Sequence, residues 1–152
     1  MSFRRNTARV LPVDQEGRVL LLHGWDPERP GDPFWFTIGG AAEHGETLPE
    51  AAARELWEEV GIAVDPALLG EPIETAPIEF WWGGFHFLQD QTFYAIALAD
   101  AAVSFAGQEA LERATIDKHG WLYPEDLGRE GERPADPELP RLMRLAAAAI
   151  LG

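Results

Sequence analysis

Residues 40–62 constrain the fold most, because they predict a helix whose two ends are both marked in the sequence. Residues 48–60 (LPEAAARELWEEV) form the helical part. Thr47 and Glu50 have the spacing of a capping box, and Gly61 suits the left-handed residue that ends a helix. At about 100° per residue, an apolar stripe is expected on one side. It comprises Ala52, Ala53, Leu56, Trp57 and Val60.

Three carboxylates, Glu55, Glu58 and Glu59, share a neighbouring arc of this helix. Like charges at i and i+4, as in Glu55 and Glu59, destabilise a helix by roughly 0.2–0.5 kcal/mol. A solvated face would tolerate that cost. A divalent cation is the alternative, and the position beside the core stripe favours it. Mg²⁺ and Mn²⁺ prefer oxygen ligands and keep coordination positions open for water and phosphate.

The residue order across this segment resembles the Nudix box. Gly40 is followed after five residues by Glu46, and after seven more by the run RELWEEVGI, residues 54–62. The resemblance implies an α/β fold, an α/β/α sandwich on a mixed, curved β-sheet. It also implies Mg²⁺-dependent hydrolysis of a diphosphate that links a nucleoside to another group. We expect one such domain over residues 1–152.

The resemblance also assigns roles to the residues of the box. Glu55 and Glu59 are the expected metal ligands, with Glu58 as a further ligand or the base. The predicted catalytic set is Glu58, Glu59 and Arg54. The family role of Arg54 is to pair with box carboxylates, and Glu46 stands where such a partner would lie.

Two further metal ligands are implied outside the helix. The carbonyl just before the box glycine, that of Gly39, often binds metal in the family. A glutamate before the last strand often joins the site or acts as base, and Glu112 is the closest candidate. Family members often place that acid nearer the following tryptophan, where Thr115 and Asp117 stand in this chain.

Aromatic and arginine side chains on loops are the candidates for substrate binding. Trp25 and Arg29 belong to a Pro/Gly-rich loop at residues 24–33, where an indole can stack on a base and an arginine can hold a phosphate. The alternatives are a packed Trp25 and a solvated Arg29. Trp35 either lines the pocket or fills the core. Trp81 belongs to an aromatic hairpin tip with Trp82, Phe85 and Phe87, which suits base stacking or a homodimer interface.

The remaining pattern predicts strands and one more helix. Strands are expected at residues 4–13, 18–23, 34–38, 70–82, 85–99 and 121–123. Gly39–Gly40 and Gly83–Gly84 are expected to be turns, and Gln89-Asp90-Gln91 a polar break. One helical turn is expected at residues 124–127. A closing helix over residues 138–151 should pack through Leu142, Leu145, Ala146 and Ala149.

Composition limits the classes of function. The 152 residues carry 26 acidic and 12 basic side chains, a net charge of −14, which disfavours general binding to nucleic-acid backbone. There is no cysteine, so thiolate chemistry is excluded and a cytoplasmic setting is expected. No membrane segment and no signal peptide are predicted.

The substrate stays open between several small molecules. Pro77 stands 15 residues after Ile62, a spacing that resembles members that cleave ADP-ribose. Nucleotide sugars, dinucleotide polyphosphates and nucleoside triphosphates are the other candidates. The alternative function is a catalytically weak module of the same fold that binds a nucleotide as a sensor. Such modules usually lose box carboxylates, and all of them are present in this sequence.

Overall fold

Seven strands of residues 2–98 and 115–152, the parts of the chain that the computed structural model describes, form one mixed sheet. The strands are β1 (Ser2–Val13), β2 (Val19–Gly24), β3 (Phe34–Phe36), β4 (Ile38–Ala41), β5 (Glu74–Trp82), β6 (Phe85–Ala97) and β7 (Ile116–Leu122). The helices are α1 (Leu48–Val60) and α2 (Leu139–Leu151), with 3₁₀ turns at Pro66–Leu69 and Pro124–Gly128. No helix in these two ranges is long and apolar enough to span a bilayer.

Strand β1 is the centre of the sheet. On one edge it pairs in parallel with β6 along its whole length, from Ser2↔His86 to Val13↔Ala97. The other edge is divided, because β4 pairs antiparallel with the middle of β1 and β2 pairs at its end. Strands β3 and β7 continue from β2, and β5 forms a hairpin with β6. This division curls the sheet and separates β4 from the β5–β6 hairpin.

Apolar cores lie on both faces of the sheet, each closed by one helix. Because side chains alternate along a strand, Ala8 and Val10 of β1 face the core under α1, whereas Leu11 and Val13 face the core under α2. Residue Leu56 of α1 is fully buried in the first core. The predicted α/β/α sandwich on a mixed, curved sheet is confirmed.

The predicted bounds and ends of α1 are confirmed. Thr47 Oγ1 accepts a hydrogen bond from the Glu50 amide at 3.2 Å, and the Glu50 carboxylate accepts one from the Thr47 amide at 2.9 Å. Gly61 has φ 73° and donates its N–H to the Trp57 carbonyl at 2.9 Å. The prediction for Trp57 is wrong, since it is 55% exposed. It lies about 150° from the centre of the buried arc.

Two local predictions around β3 and β6 are also wrong. The expected strand at 34–38 is two strands, and Gly39–Gly40 lies inside β4 rather than in a turn. Gly39 has φ 150°, and a Cβ there would lie 2.2 Å from the Ala8 carbonyl oxygen. The glycine is therefore needed for β4 to lie against β1. Residues 89–91 do not interrupt β6, because Gln89 and Gln91 are buried on the sheet.

The C-terminal elements differ in length and facing. Strand β7 begins at Ile116, earlier than the predicted residue 121. Helix α2 packs through Leu139, Leu142, Met143 and Ala146, at i, i+3, i+4 and i+7. Leu145 and Ala149, expected on the packed side, are exposed. Met143, which was not predicted to be buried, lies in the core instead of Leu145 and Ala149.

Candidate active site

A cleft of about 800 Å³ lies between the acidic side of α1 and the β5–β6 hairpin. Cavities that hold small ligands typically measure about 300–1,000 Å³. Three kinds of side chain line it: carboxylates of α1, arginines of β1, and aromatic rings of the hairpin and of the loop after β2. These include Glu55, Glu58, Glu59, Arg5, Arg9, Phe80, Phe87, Trp81 and Trp25.

Arg54 organises the carboxylates at one end of this cleft. Its guanidinium forms two hydrogen bonds with Glu46, at 2.8 and 3.0 Å, and one each with Glu55 at 3.0 Å and Glu58 at 3.1 Å. The fifth goes to the Ala41 carbonyl at 3.0 Å. A guanidinium has five N–H donors, so Arg54 cannot donate to a substrate without releasing a partner. It therefore positions the carboxylates.

The electrostatics of this network differ between its members. The hydrogen bond from Arg54 lowers the pKa of Glu46. The pKa of Glu58 is instead raised, first by desolvation and then by the charge of Glu55, and this outweighs the attraction of Arg54. A raised pKa moves a carboxylate toward the range in which it can accept a proton from water. The Glu58 side chain is 36% exposed and borders the cleft.

The two glycines of β4 bring the carboxylates of α1 against the sheet. A Cβ on Gly40 would lie 2.5 Å from Glu55 Oε1, so only glycine leaves room for that carboxylate. Glu59, 6% exposed, accepts a long hydrogen bond of 3.4 Å from the Gly39 amide. The Gly39 carbonyl, the predicted metal ligand, accepts from Arg9 Nη1 at 3.1 Å.

The donor set suits a hard cation, although it does not surround one. Within residues 2–98 and 115–152, no three acidic or histidine side chains stand close enough together to hold an ion alone. Magnesium is commonly bound through one or two carboxylates, with water and substrate phosphates completing its shell. Glu55, Glu58, Glu59 and Gly39 border one cleft and offer such oxygens. Glu112 lies outside the described residues.

The structure separates the predicted substrate-binding residues. Trp25, Arg29 and Trp81 all line the cleft, and Trp81 is 65% exposed. Trp35 does not line it. Its ring is buried in the core under α2 and its indole N–H donates to the Glu132 carboxylate. Of the two alternatives for Trp35, the core is the one that the structure shows.

Arginines of β1 and polar residues of β6 at the cleft were missed by the sequence interpretation. Arg5 and Arg9 line the cleft from β1, and Gln91 lines it from β6. Gln89 lies beside both arginines. The available signals were the spacing of Arg5 and Arg9, which puts them on one face of β1, and the two glutamines two positions apart in β6.

The loop after β2 is tied to the hairpin tip across the cleft. Asp26 accepts a hydrogen bond from the Gly83 amide at 2.9 Å and another from the Glu28 amide at 2.9 Å. The Gly83–Gly84 turn itself is confirmed, with φ 60° and 81°. The tie holds the loop that carries Trp25 against the aromatic tip.

With the fold and this cleft described, similarity to known proteins identifies the class. The model of the NUDIX domain matches residues 3–144. The chain belongs to the NUDIX domain family.

Curated relatives match part of the chain. The phosphatase NudJ of Escherichia coli strain K12 and that of Shigella flexneri are each 39% identical to it over 64 residues. This match covers 42% of the chain and only 40% of the length of each relative.

Solved structures share the fold over nearly the whole chain. The dihydroneopterin triphosphate pyrophosphohydrolase of E. coli superposes with TM-score 0.68 at 21% identity, covering 95% of both chains. A Caenorhabditis elegans Ap4A hydrolase gives TM-score 0.62 at 16% identity, covering 97% of this chain and 98% of that one. At these identities the likeness concerns the fold.

Proposed function

We propose that this protein is a Nudix-type pyrophosphohydrolase that cleaves the phosphoanhydride bond of a nucleoside diphosphate derivative with Mg²⁺ or Mn²⁺. ADP-ribose, a nucleotide sugar and a nucleoside triphosphate are the candidate substrates. The observation that carries the proposal is the Arg54 network, which holds Glu55 and Glu58 beside Glu59 at one end of a ligand-sized cleft. A solvated helix face has no need of such a fixed arrangement.

The chemistry follows from the charge of the substrate. A phosphoanhydride is anionic, so its negative charge opposes attack by water. The carboxylates of the cleft also repel the phosphate groups. Bound Mg²⁺, held by Glu55, Glu59 and the Gly39 carbonyl, would neutralise the phosphate oxygens and acidify water. Glu58 then accepts the proton of the attacking water. Since Arg54 engages Glu58 Oε2, the proton acceptor is Oε1.

The rest of the cleft would select the leaving group. Trp25 and Trp81 offer rings for a base or a sugar, and Arg29 offers a cation on the same loop as Trp25. Two structures that share the fold are named as hydrolases of compounds with linked phosphates, which is compatible with the proposed class of substrate. The buried Trp35 has no part in this proposal.

The proposal also covers the domain organisation, the location in the cell and the oligomeric state. We propose that residues 1–152 belong to one domain, and the match of the family model over residues 3–144 supports this. The cysteine-free composition fits a cytoplasmic enzyme. The exposed rings of Trp81 and Phe85 at the hairpin tip offer a contact for a homodimer.

The test is hydrolysis of a panel of nucleoside diphosphate derivatives in Mg²⁺, with products identified by mass. We expect turnover of at least one member, and a loss on the order of 10²-fold or more in Glu59→Gln. Glu125→Gln, an exposed acid outside the cleft, is the matched control and should be unaffected. Near-normal activity of Glu59→Gln would refute the assignment. Tight binding of a member that is never hydrolysed would favour the nucleotide-sensing alternative.

A further inference from the structure

Two arginines in the cleft form no close ion pair with a carboxylate of the part of the chain that the structure describes. Arg5 and Arg9 are four positions apart on β1 and both line the cleft. Among the carboxylates of residues 2–98 and 115–152, none lies within ion-pair distance of either guanidinium. The chain has 26 acidic side chains against 12 basic ones, so an unpaired arginine is unexpected. Two adjacent ones point to an anion from outside the chain.

Arg9 is the more deeply placed of the two and is incompletely satisfied. Its Nη1 donates to the Gly39 carbonyl at 3.1 Å, and its Nη2 lies 3.5 Å from Gln89 Oε1. Its Nε is buried and has no hydrogen-bond partner in the described part of the chain. A buried donor left without an acceptor is unfavourable, because it has lost its hydrogen bonds to water. An acceptor that enters the cleft would offset that cost.

Arg5 lies beside Arg9 and is held in place by neutral groups. Its guanidinium lies over the Phe87 ring, 4.7 Å from the centroid, and against the amide of the buried Gln89. Burial, and then the nearby charge of Arg9, lower the pKa of Arg5, and these effects outweigh the attraction of the Glu55 charge. The two cations therefore repel each other, and packing against Phe87 and Gln89 fixes Arg5 without neutralising it.

The sheet register places this pair between the carboxylates and the aromatic rings. Arg9 pairs with Gly39 of β4, next to the box. Arg5 pairs with Gln89. Two positions before Arg5, the rings of Phe3, Phe87 and Phe80 form one row across three strands. Centroids in this row are 5.5 and 5.3 Å apart. Within the cleft, the arginines therefore lie between the carboxylates of α1 and the aromatic row.

We propose that Arg5 and Arg9 form a diphosphate-binding wall that holds the phosphate oxygens of the substrate opposite the carboxylates of α1. The guanidinium fork matches phosphate oxygens bidentately. The group attached on the Arg5 side of the diphosphate then contacts Phe80 and Phe87, which selects diphosphates that carry a ring. The wall rests on the proposed function for its place in a reaction, but its anion binding is measurable without catalysis.

A rival role for Arg9 is purely structural. The charges of Glu59 and Glu55 attract its guanidinium, so it could serve only as their counter-charge. Arg9→Lys separates the two roles, because lysine keeps the charge and loses the planar fork. A counter-charge survives this substitution, whereas bidentate binding of phosphate does not. Arg5→Gln gives an independent test at a less buried position.

The experiment is calorimetric titration of inorganic pyrophosphate into the metal-free full chain in EDTA at low salt. We expect binding by the wild type and a loss of roughly tenfold in affinity in Arg5→Gln and in Arg9→Lys. Arg4→Gln is the matched control. Arg4 precedes Arg5 on β1, pairs with Asp90 at 3.6 Å and has a 72% exposed side chain. Its removal should leave the affinity within twofold.

The outcomes separate the wall from the proposed reaction. Wild-type affinity in both Arg5→Gln and Arg9→Lys, or an equal loss in Arg4→Gln, would overturn the wall. Glu59→Gln should keep pyrophosphate binding in EDTA while losing hydrolysis. If the wild type binds pyrophosphate through Arg5 and Arg9 but hydrolyses no member of the substrate panel, the wall stands and the reaction fails. Thermal melts of each variant establish that it is folded.

Discussion

Adjacent glycines of β4 should respond very differently to alanine. A Cβ on Gly39 would lie 2.2 Å from the Ala8 carbonyl oxygen and 2.8 Å from the Arg9 Cα, both backbone atoms of β1. A Cβ on Gly40 would lie 2.5 Å from Glu55 Oε1 and 2.7 Å from its Cδ, the far end of a flexible side chain. Gly39 also has φ 150°, whereas Gly40 is outside the positive region.

The expected magnitudes follow from what must move. In Gly39→Ala, β4 has to shift from β1, which costs about 1–3 kcal/mol for overpacking, and the backbone strain adds about 1–3 kcal/mol. At about 2–4 °C per kcal/mol for a chain of this size, Tm should fall on the order of 10 °C. In Gly40→Ala, rotation of Glu55 relieves the contact, so the free energy of unfolding should change by less than about 1 kcal/mol.

For activity, Gly40→Ala should have a large effect although its effect on stability is small, because it displaces Glu55. Displacing Glu55 by about 1 Å can reduce turnover by about 10²-fold even though the fold is intact. Thermal melts followed by circular dichroism, with Mg²⁺-dependent hydrolysis measured well below the Tm of each variant, test both statements. An unchanged Tm in Gly39→Ala would contradict the expected clash with β1. Full activity in Gly40→Ala would show that Glu55 does not need its present position.

Three further predictions concern the charge network and the helix faces. Arg54→Lys keeps one charge but loses the fork, and should lower the unfolding free energy by about 2 kcal/mol, measured by urea denaturation, with hydrolysis reduced as well. The hydrogen bond from Arg141 lowers the pKa of Glu74 below its usual 4.5. This pair therefore stabilises the fold above pH 4.5, and that stabilisation is lost as the pH falls further. The urea midpoint of Arg141→Gln should depend less steeply on pH below 4.5 than that of the wild type. Trp57→Ala should change stability by less than about 0.5 kcal/mol, whereas Leu56→Ala should cost about 2–5 kcal/mol; equal losses would contradict the observed facing of α1.

Local signals explain why the first half of the site was predictable. The bounds of α1 depend on contacts within a few residues of its ends, from Thr47, Glu50 and Gly61. The pairing of Arg54 with Glu46 is almost as local, at eight residues. Such contacts are encoded in spacing, so a single sequence carries them. The confirmed helix and the confirmed hairpin turn at Gly83–Gly84 belong to this class.

The facing of α1 was not predictable from hydrophobicity, because the site inverts the usual preference. Glu55 and Glu59 are buried to 8% and 6% exposure, and the larger apolar Trp57 faces solvent. Glu55 is buried where Arg54 donates a hydrogen bond to it and Gly40 leaves it room, and Glu59 accepts a long hydrogen bond from the Gly39 amide. A pattern that assigns apolar residues to the core cannot predict that a carboxylate is buried because a residue on another element stabilises it there.

The cleft arginines depend on contacts that are remote in sequence. Arg9 meets Gly39 at a separation of 30 residues and Gln89 at 80. These contacts exist only because β1 pairs with β4 on one edge and β6 on the other. The alternation of Arg5 and Arg9 showed that they share a face, but which face, and what it meets, follows from the strand order.

The charge balance of the cleft links the two proposals. Glu46, Glu55 and Glu58 all accept hydrogen bonds from Arg54, and Glu59 lines the same cleft. Desolvation, and then the charge of Glu55, raises the pKa of Glu58, so both effects disfavour its ionised form. A substrate anion would meet repulsion there, and divalent cations would remove it. If Arg5 and Arg9 bind the same anion from the other wall, as we propose, the metal-free protein should retain the part of the affinity that they supply.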